Sequence, residues 1–280
     1  RHTWMPENRF SKGQPANGAE LAEDLQRIVD LHGGDTIAAC FVEPVAGSCG
    51  VLVPPRGYLE RLREICDQHG ILLVFDEVIC GFGRLGADFG ANRLGMQPRM
   101  MTLAKALSSA YLPVSAAVVA GPMYEPMAEL SARVGVFGHG YTYSGHPVAC
   151  AVASRVLDIY RRDRLFDHAA KVGDYLQSRL GEFADHPLVG EVRGMGLIAA
   201  LELVANRQTR QPFEGNAVGG FCQKRCEEYG LIVRALGGNS IALCPPLIIT
   251  EAQVDELVEK LGRALEDTLS HVAANDLLAD

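Results

Sequence analysis

The chain has 280 residues, 48% of them hydrophobic and 21% charged, which is ample material for a core in one large domain or two modest ones. A formal net charge of -8, with no Lys/Arg cluster to track phosphates, argues against nucleic acid as a partner. The sequence holds no run of about 18 apolar residues for a membrane span, and its first residues lack a secretory-signal pattern.

The opening "RHTWMPENRFSKGQPANG" is polar, rich in turn formers and without an initiator methionine, and reads as the interior of a longer protein. Leu21, Leu25, Ile28, Val29 and His32 then mark one face of a helix stopped by Gly33 and Gly34. "TIAACFVEPV", residues 36–45, is a continuous apolar run with β-branched residues and predicts a buried strand ended near Pro44. "PPRGYLERLREICDQHG" predicts a second helix with Tyr58, Leu59, Leu62, Ile65 and Cys66 inward and Gly70 after its end. "ILLVF", "MMTLA" and "VSAAVVAG" predict three more strands.

This alternation, with strands apolar throughout, predicts an α/β fold built on a mostly parallel sheet with helices on both faces. From Ser144 to about Ala184 the period turns helical. "GEVRGMGLIAALELV", "GLIVRAL" and "SIALCPPLII" then read as strands of a smaller α+β unit. A last helix opens on the capping pair Thr250 and Gln253 and buries Val254, Leu257, Val258, Leu261 and Leu265. The expected division is residues 1–160 and 161–280, with the boundary at about 155–165 inside a long helix. The eight cysteines sit mostly in apolar runs and read as reduced, buried and cytoplasmic. Cys222 and Cys226 are four apart on a helix, but lack the further ligands that a metal site needs.

Ligands of parallel sheets bind beyond the carboxyl ends of the strands. Three predicted strand ends here carry charge: Glu43, Asp76 with Glu77, and Lys105. Lys105 in "TLAKAL" is either a solvated cation at a helix start or an amine partly desolvated for Schiff-base chemistry. Asp76 is either a cap or a chemical group. One chemical reading is a Walker B-like pair, in which Asp76 and Glu77 hold Mg²⁺ in a nucleotide-hydrolysing module; the matching phosphate loop is not in the sequence. Another joins Asp76 to Lys105: pyridoxal phosphate needs a carboxylate at its ring nitrogen and a lysine at its aldehyde.

"EPVAGSCGV", "LLVFDEVICGFGRLG", "TLAKAL" and "GYTYSGHPVACA", in this order and spacing, resemble the class III pyridoxal-phosphate aminotransferases. "GQPANG", "GSCGVLVPPRGYLERLREIC", "HGYTYSGHP" and "CPPLII" are most similar to the ω-amino acid–pyruvate (β-alanine–pyruvate) group. The resemblance covers the whole chain and implies the carboxy-terminal portion of a fold type I enzyme. The family's upstream phosphate cup and ring-stacking aromatic lie outside these 280 residues.

The resemblance implies pyridoxal 5'-phosphate as cofactor and Lys105 as the Schiff-base lysine. Asp76 then falls at the ring-nitrogen partner, Val78 at the apolar residue against the ring, and Thr142 at the threonine reaching the neighbouring subunit's cofactor phosphate. Arg234 falls at the arginine that grips a substrate carboxylate and Glu43 at a glutamate by the substrate pocket, or simply an anchor for the loop after its strand. Ile79 stands where many class III members carry glutamine; the ω-amino acid group shares an apolar residue there. Arg84 in "GFGR" is expected to be structural and paired with a carboxylate, and Glu77 to be structural as well. The implied activity moves an amino group from an ω-amino compound such as β-alanine to pyruvate, in a homodimer or dimer of dimers. A truncated or split-gene product, inactive alone, is the alternative that keeps the fold.

Overall fold

The structure is a computed structural model and describes residues 5–279. Helix α1, Glu23–His32, packs beside α2, Tyr58–His69, and between them runs strand β1, Ala39–Val42. Strand β2, Leu72–Asp76, the four-residue helix α3, Gly90–Arg93, strand β3, Met100–Leu103, and strand β4, Ala116–Val119, complete a sheet in the order β1-β2-β3-β4. The first three strands are parallel, with Val42 opposite Phe75 and Asp76 opposite Thr102, so all three carboxyl ends share one edge. The fourth is antiparallel to β3.

Burial follows position in this sheet. Leu73, Val74 and Phe75 of the inner strand β2 are 1% exposed or less, and burying each such side chain contributes roughly 1.5–3 kcal/mol. Leu59, Leu62, Ile65 and Cys66 of α2 cover Leu73 and Phe75, and Gly70 closes that helix in the left-handed conformation that its place requires. The buried strand expected over residues 36–45 shrinks to four residues. Phe41 is 66% exposed, because β1 is an edge strand whose second face is left uncovered by the described residues. Strand β4, at the other edge, is likewise exposed. The face predicted for α1 is off by part of a turn: Val29 is buried while Ile28 is half exposed.

Helix α4, Gly121–Val134, buries no residue, and the apolar Tyr124, Met127, Leu130 and Val134 stand in solvent. Helices α5, Pro147–Arg162, and α6, Leu165–Leu180, follow. Residues 155–165 hold the last two turns of α5, to Arg162, and a turn at Arg164 with φ 50°. A second, antiparallel sheet comes next: β5, Val189–Met195; β6, Ile198–Asn206; the two-residue β7, Gln211–Pro212; then, after helix α7, Ala217–Glu228, strands β8, Arg234–Leu236, and β9, Ser240–Leu243. Its order is β5-β6-β9-β8, with β7 on β6.

Helix α8, Glu251–Ala274, starts at the predicted capping box: Gln253 N–H donates to Thr250 Oγ1 and Thr250 N–H to Gln253 Oε1. Val254, Leu257, Val258, Leu261 and Leu265 are buried as expected and share a core with α6 and the second sheet. Four cysteines (Cys66, Cys80, Cys222 and Cys226) are buried thiols, whereas Cys49, Cys150 and Cys244 are exposed, against the expectation of general burial.

Two contacts tie the sheets together. The Arg84 guanidinium donates to the carbonyls of Leu197 and Pro245, and Leu197 N–H returns a bond to Arg84 O. The partners are carbonyls and not the expected carboxylate: the tight turn between β5 and β6 presents its backbone there. On the other side, the buried Arg193 donates to Glu202, to Ser240 and to the Gly50 carbonyl, pinning the loop after β1 to the second sheet.

Candidate active site

Cavities of about 430 and 480 Å³ lie at the junction of α5 and α6 and between α6 and β5, but a larger one of about 670 Å³ opens between the two sheets. Its wall holds Gly47 and Ser48 after β1, Val78 and Ile79 after β2, and Lys105, Ser109 and Ala110 after β3. Ile198, Arg234 and Leu236 from the second sheet close it. The parallel register brings these loops together, because β1, β2 and β3 all end at the same edge.

Lys105 follows β3 in a short turn, Lys105–Leu107, with φ 44°, a left-handed conformation rare for a side-chain-bearing residue. Ser109 and Ala110, on the same wall, also have positive φ, at 49° and 63°. Strained backbone of this kind persists where its surroundings over-determine it. Of the two readings of Lys105, the described residues leave it exposed, as a solvated amine, at a cavity that opens beside the exposed β4.

Asp76 ends β2 and stands behind Val78. Its Oδ1 accepts the Val78 N–H at 3.0 Å and the Thr102 hydroxyl at 3.1 Å. The other oxygen, Oδ2, has no partner among the described residues, so one carboxylate oxygen is orienting and one is free for a cation. Glu77 does the opposite. It is 0% exposed, and its two oxygens accept the N–H groups of Gly90 and Ala91 at 2.8 and 2.7 Å, at the start of α3. Burial pushes its carboxyl above the usual range, with the two backbone donors pulling the other way. Both Glu77 oxygens are thus turned to the start of α3 while Asp76 is turned to Val78 and Thr102, an arrangement that disfavours the Walker B-like reading of one metal shared by the pair.

Arg234 begins β8, is exposed, and lines the cavity with no carboxylate in ion-pair distance among the described residues. Glu43 is not on the cavity wall. Its Oε2 accepts the Gly47 N–H at 3.0 Å, the anchoring arrangement, which fixes the loop that is. Thr142 is exposed on the turn before α5 and is also outside this wall, among the exposed Phe137, Tyr141 and Tyr143.

Of the six singled-out residues, then, Lys105, Val78 and Arg234 meet at one cavity and Asp76 braces its wall; Glu43 and Thr142 do not reach it. Sequence reasoning missed Tyr160 of α5, which is 7% exposed, lines the same cavity and donates to the Ala106 carbonyl at 2.7 Å. Its signal was the helical period of residues 144–184, which marks burial without marking what a hydroxyl reaches.

The donor set suits pyridoxal phosphate: an amine, an apolar residue and a guanidinium line one inter-sheet space, and a carboxylate with one oxygen free among the described residues stands behind its wall. Comparison with known proteins agrees. The family model described as aminotransferase class-III matches residues 4–265. An omega-aminotransferase of Caulobacter vibrioides is 47% identical over 264 residues, covering 93% of this chain and 58% of the relative. A putrescine–pyruvate aminotransferase of Pseudomonas aeruginosa is 43% identical over 92% of this chain and 56% of its own length. An omega transaminase from Pseudomonas jessenii, solved in complex with PMP, superposes with a TM-score of 0.87 at 46% identity, over 91% of this chain and 56% of that one. The chain thus spans little more than half the length of the relatives it matches.

Proposed function

The chain belongs to the class-III aminotransferases, and from that premise we propose that it forms the carboxy-terminal part of a transaminase that passes an amino group from an ω-amino compound, such as β-alanine, to pyruvate. The family works with pyridoxal 5'-phosphate, and its fold is fold type I. The observation that carries the reading is the meeting of Lys105, Val78 and Arg234 on one cavity wall at the carboxyl ends of the parallel strands, with Asp76 behind it.

The bound cofactor supplies an electron sink for the carbanion that forms when the donor carbon loses its proton. Asp76 would hold the ring nitrogen through Oδ2, because Oδ1 is already fixed by Val78 N–H and Thr102. Val78 packs an apolar surface against the ring. Lys105 Nζ would hold the cofactor and would carry the proton taken from the donor carbon over to the cofactor, as base and acid in turn. Arg234 grips the carboxylate of pyruvate or of an amino acid as a bidentate pair. An amine without a carboxylate meets the apolar wall of Ile79, Val51, Leu236 and Ile198 instead. Glu43 contributes by holding the Gly47 loop at the substrate side.

We assign Thr142 to the cofactor phosphate of a neighbouring subunit in a homodimer or dimer of dimers. The exposed Phe137, Tyr141, Tyr143 and Val148 around it support burial against a second copy. A cytoplasmic setting is supported by the four thiols packed in apolar cores. A second reading has its own observation: Lys105 is exposed and the chain covers 58% of a relative, so the 280 residues alone bind cofactor poorly.

The test is a titration with pyridoxal phosphate, followed by donor and acceptor panels. A visible cofactor band that disappears in Lys105→Ala, with amino transfer to pyruvate, supports the transaminase. A band only when the residues encoded upstream are present supports the second reading. Absence of a band in both forms refutes the assignment of Lys105.

A further inference from the structure

Beyond Ser108, which is buried and donates its hydroxyl to the Leu112 carbonyl at 2.6 Å, few side-chain bonds hold the turn that presents the Lys105 amine. Its own backbone bonds are Leu107 N–H to Ala104 O at 3.0 Å, Ser108 N–H to Lys105 O at 3.2 Å and Ser109 N–H to Ala106 O at 3.2 Å. The last two are long, and Lys105, Ser109 and Ala110 all sit in the left-handed region. A turn of this kind relaxes unless another element clamps it.

One side chain from a distant element does so. Tyr160, 54 residues on in α5, donates its hydroxyl to the Ala106 carbonyl at 2.7 Å, the shortest bond made by this turn's backbone. The carbonyl belongs to the residue next to Lys105. The ring is itself fixed: it is 7% exposed, lies 5.5 Å from Phe166, and shares a core with Phe82, Leu103, Leu107 and Val156. The Ser109 hydroxyl is a second neighbour of the Tyr160 oxygen, and burial pushes the phenol upward, so the group stays a protonated donor.

We propose that Tyr160 is a positioning residue for Lys105: its hydroxyl clamps the Ala106 carbonyl and thereby keeps the strained turn that aims the amine into the cavity. This rests on the reading of Lys105 as the cofactor-binding amine. Tyr160 touches neither amine nor substrate in this role; it acts through the backbone of the turn.

The experiment compares Tyr160→Phe with Leu157→Ala in the longest product the gene encodes. Leu157 is on the same helix and packs in the same core, away from the wall of the Lys105 cavity, so its truncation loosens that core while the Tyr160 hydroxyl bond is kept. The first readout is amide hydrogen exchange of the peptide spanning residues 105–111 in the cofactor-free protein. The second is the visible cofactor band, with kcat and KM for the amino donor.

Loss of one buried hydroxyl–carbonyl bond is expected to speed exchange of this peptide about tenfold in Tyr160→Phe. It is also expected to lower kcat by about tenfold while the donor KM stays within about twofold. Leu157→Ala is expected to leave both unchanged despite a comparable fall in melting temperature. Equal exchange in Tyr160→Phe and the unaltered protein overturns the proposal, and so does the same acceleration in Leu157→Ala. A missing cofactor band in the unaltered protein overturns the reading of Lys105 instead, so the two failures are told apart.

Discussion

Glu77→Ala removes a carboxylate whose two oxygens are both engaged at the start of α3, and the structure gives the cost. Two backbone N–H groups, Gly90 and Ala91, donate to it at 2.8 and 2.7 Å in a site of 0% exposure. Hydrogen bonds to a charged group are worth about 1.5–3 kcal/mol each, so the pair amounts to about 3–6 kcal/mol. Release of a buried carboxylate offsets part of this, and the two orphaned donors at the start of α3 add to it. A net loss of about 3–5 kcal/mol is expected. With an unfolding entropy of about 2.1 cal/mol/K per residue, 1 kcal/mol shifts the midpoint of a chain this size by just under about 2 °C. Glu77→Ala should therefore melt about 5–9 °C below the unaltered chain. Asp76→Asn is the contrast. Its amide oxygen can still accept from Val78 and Thr102, so the midpoint should move by less than about 2 °C while cofactor affinity falls. A Glu77→Ala midpoint within about 2 °C of the parent would refute the assignment of Glu77 as the clamp of α3.

The remaining expectations are shorter. Burial raises the Glu77 carboxyl above its ordinary value near 4.5, so the folded chain holds that proton more tightly than the unfolded chain. The stability it contributes is fully present below that ordinary value and is lost as pH rises through the folded value; urea titrations should show this slope in the parent and not in Glu77→Gln. Arg234→Leu should raise KM for pyruvate about a hundredfold, the worth of a bidentate guanidinium–carboxylate pair, and leave KM for an amine without a carboxylate within about threefold. Gly196 has φ 59°, and a Cβ there would stand 2.5 Å from the Leu85 carbonyl carbon. Gly196→Ala should destabilise by about 2–4 kcal/mol in chemical denaturation and loosen the junction that Arg84 makes between the sheets.

Much of this was legible without coordinates. The apolar run before Asp76 fixed β2 as the buried inner strand, and the period of α2 with Gly70 behind it fixed a helix, because both signals are local. The capping box at Thr250 was read correctly for the same reason. What stayed hidden was decided by neighbours. Phe41 and Ile28 are apolar residues in a strand and a helix that look buried, yet β1 is an edge strand and α1 is rotated on its partner. The direction of β4 is equally invisible in "VSAAVVAG", since an apolar strand reads the same whichever way it runs.

The site divides along the same line. The sequence by itself determined which chemistry is available: an aspartate, a lysine and an arginine at strand ends, in motifs that resemble one cofactor family. Only the tertiary structure decided that Glu77, the neighbour of Asp76, is locked onto α3 while Asp76 keeps one oxygen free. It also decided that Arg84 binds carbonyls, that Glu43 turns to Gly47, and that a tyrosine 54 residues away holds the carbonyl beside Lys105. Residue type and spacing carry what a side chain can do. Which lone pair or donor is left over depends on contacts between segments far apart in the chain, and those exist only once the sheets have packed.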